Sequence, residues 1–414
     1  MINQERLTQD FEAMQRITAL GEGINRLAFT DSDWEGRAYL MRQMEAAGLT
    51  LRTDAFGNVL GRCAGKDDSL PAILCGSHSD SVPRGGNYDG LTGVLTAIET
   101  VRSMREDGFQ PEHPIEVVLF MCEESSRFSA ATLGSRAMRG DLSIEELHRL
   151  HDKEGKSLYD VLKERGLDPD HIAAAQYTQP LKAVLELHIE QGEVLEHERL
   201  PIGIVTGIAA PARFYCEIHG DADHSGATPM PLRHDALCAA AEIILAVERA
   251  AAAQTDPPVV GTVGVVDVTP GVMNVIPGAV TLGVDLRSID ITARDAVERH
   301  VTEALDEAAV RRGITWTMRR VSEETPAQMS PALVDMIAAT AEELGMRYRR
   351  MPSGAGHDSM HWADYAPTGM IFIPCRDGIS HNPAEYADPE HIFSGVQLYS
   401  AVVRRLSQRA ITLD

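Results

Sequence analysis

Five short stretches of the chain each deliver a carboxylate or an imidazole just after a run that reads as a buried strand. They are Gly76-Ser77-His78-Ser79-Asp80, Asn87-Tyr88-Asp89-Gly90, Cys122-Glu123-Glu124-Ser125, Leu187-His188-Ile189-Glu190 and Ser380-His381-Asn382-Pro383. The C-terminal ends of strands in an open α/β sheet converge on one crevice, so ligands far apart in sequence can meet there. The set offers imidazole and carboxylate but no thiolate, which suits zinc, manganese, cobalt or nickel. Three imidazoles, two carboxylates and a spare glutamate suffice for two metal ions and a base, the equipment of metal-assisted hydrolysis.

Each motif also has a plainer reading. His78 and Asp80 lie two apart on an extended segment and point to one side, so the carboxylate can brace the ring's second N–H. Asp89 precedes a helix and could simply cap it. Glu123 and Glu124 end an apolar run, where two unpaired carboxylates would repel each other if buried. A metal resolves that conflict for one and gives the other a water to deprotonate. His188 could be a satisfied core histidine, and His381 a hydrogen-bonded loop residue. His357 and His361 share the four-residue spacing of the zincin helix, but Asp358 stands where that motif has Glu, and a glycine-rich loop precedes the pair.

Positioning these groups requires an alternation of strands and helices. Pro71–Cys75, Ile115–Met121, Ala183–Leu187 and Met370–Ile373 read as strands, and Leu91–Arg105 has helical apolar spacing. That order predicts an α/β sheet with helices on both faces. From Asp141 to Thr178 the chain reads as a charged, helical surface insertion. Ser143 and Ser157 cap its helices, the first in a capping box with Glu146. Between Arg213 and Arg320 the order becomes β-α-β-β-α-β, the ferredoxin-like arrangement. The expected division is a catalytic domain over 1–212 and 325–414, with an inserted domain over 213–324 that pairs subunits and serves as a lid.

The 414 residues suit such a two-domain chain. A formal charge of −23 argues against a nucleic-acid surface. Six scattered cysteines without a C-x-x-C pair read as buried free thiols. No run reaches the ~18 apolar residues of a membrane span, and no secretory signal is visible, so a cytoplasmic protein without a membrane partner is expected.

Taken together the motifs resemble the hydantoinase/carbamoylase family of metal-dependent amidases, part of the two-metal aminopeptidase, aminoacylase and carboxypeptidase group. The likeness extends through His224-Ser225-Gly226-Ala227-Thr228-Pro229, Asn274-Val275-Ile276-Pro277, Asp285-Leu286-Arg287, Gly354-Ala355-Gly356-His357-Asp358 and His381-Asn382-Pro383-Ala384-Glu385. The resemblance implies that His78 and His188 hold one divalent ion, Glu124 and His381 a second, and that Asp89 bridges them. It assigns Glu123 as general base, Asp80 as brace, and Gln191, His224, Asn274, Arg287, Gly356 and His357 to substrate, with His224 also stabilising the reacting carbonyl. It leaves open whether His224 serves its own subunit or its partner's. Ser125, Ser225 and Ala227 depart from common family residues and bear on substrate choice. The implied activity is ureido C–N hydrolysis of N-carbamoyl-L-amino acids by a homodimer with two zinc, manganese, cobalt or nickel ions. Allantoate amidohydrolase or β-ureidopropionase activity is the alternative, and a non-catalytic metal-binding scaffold the remote one.

Overall fold

A computed structural model describes residues 1–411 and 413. The chain divides into two compact units, one of residues 1–206, 329–353 and 357–414, the other of 207–328 and 354–356.

The first unit is built on a mixed sheet. Its strands are β1 (Thr50–Thr53), β2 (Val59–Cys63), β3 (Ala72–His78), β4 (Ile115–Phe120), β5 (Leu181–Ile189), β6 (Ile202–Ile208, whose last residues belong to the second unit), β14 (Tyr348–Ser353) and β15 (Thr368–Ile373). The order is β1-β2-β4-β3-β5-β15-β6, with β14 also on β6. The central β4, β3, β5 and β15 run parallel, and antiparallel strands flank them. Every residue of β3, β4 and β15 is buried, as expected of parallel strands covered on both faces. The helix Leu91–Glu106 is buried almost all round, Glu99 and Arg102 included, because β3, β5 and the helices Gln4–Arg16, Asp31–Ala46 and Pro389–Leu406 enclose it.

The segment read as a surface insertion is more than a charged cover. Its helices Ile144–Arg149 and Leu158–Glu164 bury Leu147, Leu158, Val161 and Leu162 with Phe29, Phe56 and Phe128 in a core of their own. Ser143 does cap its helix by accepting from the Glu146 amide. The Glu146 carboxylate pairs with Arg136 instead of closing the box.

The second unit has the expected ferredoxin-like order. Strands β7 (Ala210–His219), β9 (Val260–Thr269), β11 (Ala279–Ser288) and β12 (Thr315–Glu323) form an antiparallel sheet in the order β12-β7-β11-β9. The helices Ala236–Ala253 and Ile291–Arg312 supply the rest of its core. The alternate burial along β11 shows the period-two pattern of a sheet covered on one face. Short strands β8 (Asp223–His224) and β10 (Val275–Ile276) pair separately, and β13 (Ala327–Gln328) closes against the end of β6.

The cysteines are all free, but Cys238 is exposed and Cys63 half-buried, so the expectation of buried thiols holds for the other four. Among the described residues no helix is long and apolar enough to cross a membrane.

Candidate metal centre

His78 ends β3, His188 lies within β5, and Glu123 and Glu124 follow β4, all at one end of the parallel strands. Asp89 and His381 differ from the expectation of ligands just after strands. Asp89 precedes the helix Leu91–Glu106, and His381 occupies a turn at φ +56°. Asp89 does not cap that helix, since Gly90 is its N-cap and makes no side-chain bond.

The Asp89 carboxylate faces two groups of ligands. Its Oδ1 lies 3.0 Å from His188 Nε2 and 3.8 Å from His78 Nε2. Its Oδ2 lies 2.9 Å from His381 Nε2, which is 3.2 Å from Glu124 Oε1. Thus His78, Asp89 and His188 form one potential ligand cluster, and Asp89, Glu124 and His381 a second, each with donor atoms within 4.8 Å of one another. Glu123 belongs to neither, and its Oε2 stands 3.8 Å from His78 Nε2.

Local hydrogen bonds aim these donors. His78 Nδ1 faces the Asp80 main-chain carbonyl at 3.1 Å, and His188 Nδ1 faces the Ile189 carbonyl at 2.9 Å. Both contacts favour a proton on Nδ1 and leave Nε2 as the acceptor, a role that His188 fills here toward the Gly90 amide at 3.1 Å and that a cation could take over. The expected brace from the Asp80 carboxylate is therefore replaced by its carbonyl, the nearer carboxylate oxygen standing 3.6 Å off. That carboxylate instead accepts the Glu123 and Glu124 amides at 3.2 and 3.0 Å, fixing the backbone that aims both glutamates.

The electrostatics express crowded, buried charge. Burial raises the Glu123 carboxyl well above the usual range against the pull of His78, and Glu124 adds to the rise. Burial likewise raises Glu124. For Asp89 the hydrogen bonds from His188 and His381 outweigh burial and hold it well below that range. Hydrogen bonds to Asp89 and Glu124 lift His381 to about 11. Burial pulls His78 down, but Glu123, Asp80 and Asp89 together carry it well above its ordinary value. Protons on these imidazoles balance the carboxylates, and divalent cations can take over that charge compensation. The oxygen and nitrogen donors fit such ions.

The remaining predicted residues divide. Gln191 lies in the first unit, where its Nε2 donates to Asp89 Oδ2 at 3.1 Å and its Oε1 is buried without a partner. His357, expected to touch substrate, is 3% exposed. Its Nε2 faces Ser353 Oγ at 2.9 Å, and its ring packs edge-on to His188 with centroids 4.5 Å apart. That geometry makes it a support of His188. His361 Nε2 faces Thr132 Oγ1 at 2.8 Å, so the two histidines do not form a zincin pair. Glu186 also neighbours His188 and His357, but its carboxylate is taken by the Ser77 and Ser359 hydroxyls.

His224, Asn274, Arg287 and Gly356 belong to the second unit. His224 Nδ1 accepts the amides of Gly226 and Ala227 at 3.1 and 3.2 Å, which leaves the proton on an exposed Nε2. Asn274 precedes Val275, which pairs with His224 in the β8–β10 ladder, and its carbonyl accepts the Ser225 amide. The side edge of Arg287 is engaged by Asp285, with Nε and Nη2 at 3.1 and 3.2 Å, and Nη1 donates to the Gly354 carbonyl. One proton on each terminal nitrogen remains for a further acceptor.

A family model described as peptidase family M20/M25/M40 matches residues 74–405. The chain belongs to that family. An N-carbamoyl-L-amino acid amidohydrolase of Geobacillus stearothermophilus is 41% identical, over 99% of this chain and 100% of its own. A ureidoglycolate hydrolase of Arabidopsis thaliana is 39% identical, over 93% of this chain and 82% of its own. The solved structure of a hydantoinase/carbamoylase family amidase from Burkholderia multivorans superimposes with a TM-score of 0.90 at 36% identity, covering 99% of both chains. This M20-family member is accordingly a hydrolase of the hydantoinase/carbamoylase type acting on C–N bonds.

The M20 family model begins after the first 73 residues, yet that segment supplies two buried arginines unassigned by the motifs. Arg26 donates to the carbonyls of Ser79, Met14 and Ile17, and Arg37 to those of Phe120, Leu119 and Gly57. They tie down the chain beside Asp80 and ahead of Glu123. Their partners are backbone carbonyls remote in sequence, so nothing in the neighbouring residues marks either arginine as a buried donor.

Proposed function

We propose that the protein hydrolyses the ureido C–N bond of an N-carbamoyl-L-amino acid, giving the amino acid, ammonia and carbon dioxide. The observation that carries the reading is Asp89, whose two oxygens face two ligand clusters while Glu123 stands outside both. His78 and His188 would hold one divalent ion, Glu124 and His381 the other, and Asp89 both. When bound, the ions supply Lewis acidity to the carbonyl and lower the pKa of water. Glu123 removes the proton of the attacking water and passes it to the leaving nitrogen as the C–N bond breaks. The remaining carbamate decomposes to ammonia and carbon dioxide. The exposed His224 Nε2–H suits donation to the developing oxyanion, and Asn274, Gly356 and Gln191 complete the proposed substrate contacts. The free end of Arg287 suits a substrate carboxylate. A scaffold without activity would have no use for a base outside the ligand sets.

The inserted unit is the proposed dimer contact, with β9 as an edge strand and Val260, Val265, Val266 and Val321 exposed on that sheet. Allantoate and ureidoglycolate remain the rival substrates, since relatives named for allantoate deiminase and ureidoglycolate hydrolase activity are 35% and 39% identical. Ammonia release on a panel of N-carbamoyl-L-amino acids, allantoate, ureidoglycolate and β-ureidopropionate, with manganese, cobalt, nickel and zinc, tests the choice. The reading predicts the highest kcat/KM on an N-carbamoyl-L-amino acid. A higher value on another member of the panel replaces it.

A further inference from the structure

His78 and His188 are held by sheet strands, and Glu124 by the hydrogen bond that its backbone N–H donates to the Asp80 carboxylate. Asp89 and His381 sit in loops and lack a strand ladder to fix them. Glu385 meets both. Its Oε1 accepts the amides of Tyr88 and Asp89 at 2.9 and 3.0 Å. Its Oε2 accepts the Ser380 hydroxyl at 2.9 Å and the His381 amide at 3.3 Å. The residue is 5% exposed, so these four donors replace water around its carboxylate. A Cβ on Gly86 would lie 2.2 Å from the Glu385 carboxyl carbon and 2.3 Å from its Cβ, so the Asp89 loop approaches Glu385 through a glycine.

We propose that Glu385 is a positioning residue whose single carboxylate locks the Asp89 loop to the His381 loop and thereby sets the spacing of the second cation's ligands. The inference rests on the two-cation reading of Asp89. Three of the four partners are backbone amides that can only donate, on both sides of the carboxylate, and that determines the chemistry of the test. Glutamine has one acceptor oxygen, so either orientation turns its NH₂ toward donors.

The experiment is a Mn²⁺ titration of the full-length protein, the Glu385→Gln variant and the Gly86→Ala variant. Bound metal is measured by elemental analysis and calorimetry, alongside kcat, substrate KM and Tm. Wild type should bind two equivalents. Both variants should keep one and bind the other 10–100-fold more weakly, the usual loss on removing a partner that orients metal ligands. Excess Mn²⁺ should restore kcat, with KM for substrate within about twofold of wild type. Rescue by metal separates positioning from a general loss of structure. Two tightly bound equivalents in either folded variant would overturn the proposal, as would lost activity that metal does not restore. If Glu385→Gln fails to fold, Gly86→Ala decides alone by the same criteria, because it displaces the carboxylate without removing it. Fewer than two equivalents in wild type would instead refute the underlying two-cation reading.

Discussion

Replacing Glu123 by glutamine separates catalysis from metal binding more sharply than any other substitution at this site. The side chain keeps its shape in a cleft where Glu123 is 9% exposed, so little repacking is required. Glu123 is outside both ligand clusters, and the amide should leave both cations in place. It cannot accept a proton. Burial raises the native carboxyl above the usual carboxylate range, the direction that suits a general base. Loss of a general base typically lowers the rate by about 10²–10⁴, or about 2.7–5.4 kcal/mol in the barrier. Glu124→Gln should behave differently, because Glu124 shares a cluster with Asp89 and His381 and a neutral amide is a poorer ligand. The assay is ammonia release at saturating substrate together with elemental analysis of both variants. Metal lost from Glu123→Gln but retained by Glu124→Gln reverses the roles. Near-native turnover in both refutes the catalytic pair.

Asp89→Ala should lose at least one metal equivalent and its turnover, since one carboxylate faces both clusters; full metal content with normal kcat contradicts the bridge. Arg287→Lys should lower kcat/KM for ureido acids by at least about tenfold, or ~1.4 kcal/mol, and by less for the corresponding amides. Equal losses on acids and amides would show that Arg287 acts through Asp285 and structure alone. His361 offers a test of pH dependence, since burial first, then Arg136, lowers its pKa from 6.5 to about 4. The unfolded chain binds the extra proton between those values, so this stabilisation is present above pH 6.5 and is lost as pH falls toward 4. The loss is about 3 kcal/mol. His361→Gln should therefore show a shallower fall in stability from pH 6.5 to 4.5 at equal metal content, measured by denaturant melts, and an unchanged slope would contradict the assignment.

The parts of the fold legible in the sequence are those in which burial has a period. β7, β9, β11 and β12 and their two helices follow the order expected between Arg213 and Arg320, because apolar side chains alternate or recur along one face. The ligands also stand out, since paired acids and imidazoles beside apolar runs are costly without a partner. The supports of those ligands carry no such pattern. Arg26 and Arg37 satisfy carbonyls remote in sequence, and local context cannot distinguish them from surface arginines. The Asp80 carboxylate turns away from His78 because two backbone amides after β4 compete for it. That competition exists only once β3 and β4 lie side by side. Glu385 presents the same problem over a longer span. Four residues beyond His381 it resembles a loop carboxylate, and its other partners lie nearly three hundred residues earlier, at Tyr88 and Asp89. Donor chemistry can be read from residue type, but the hydrogen bonds that hold donors at metal-binding distance depend on folding.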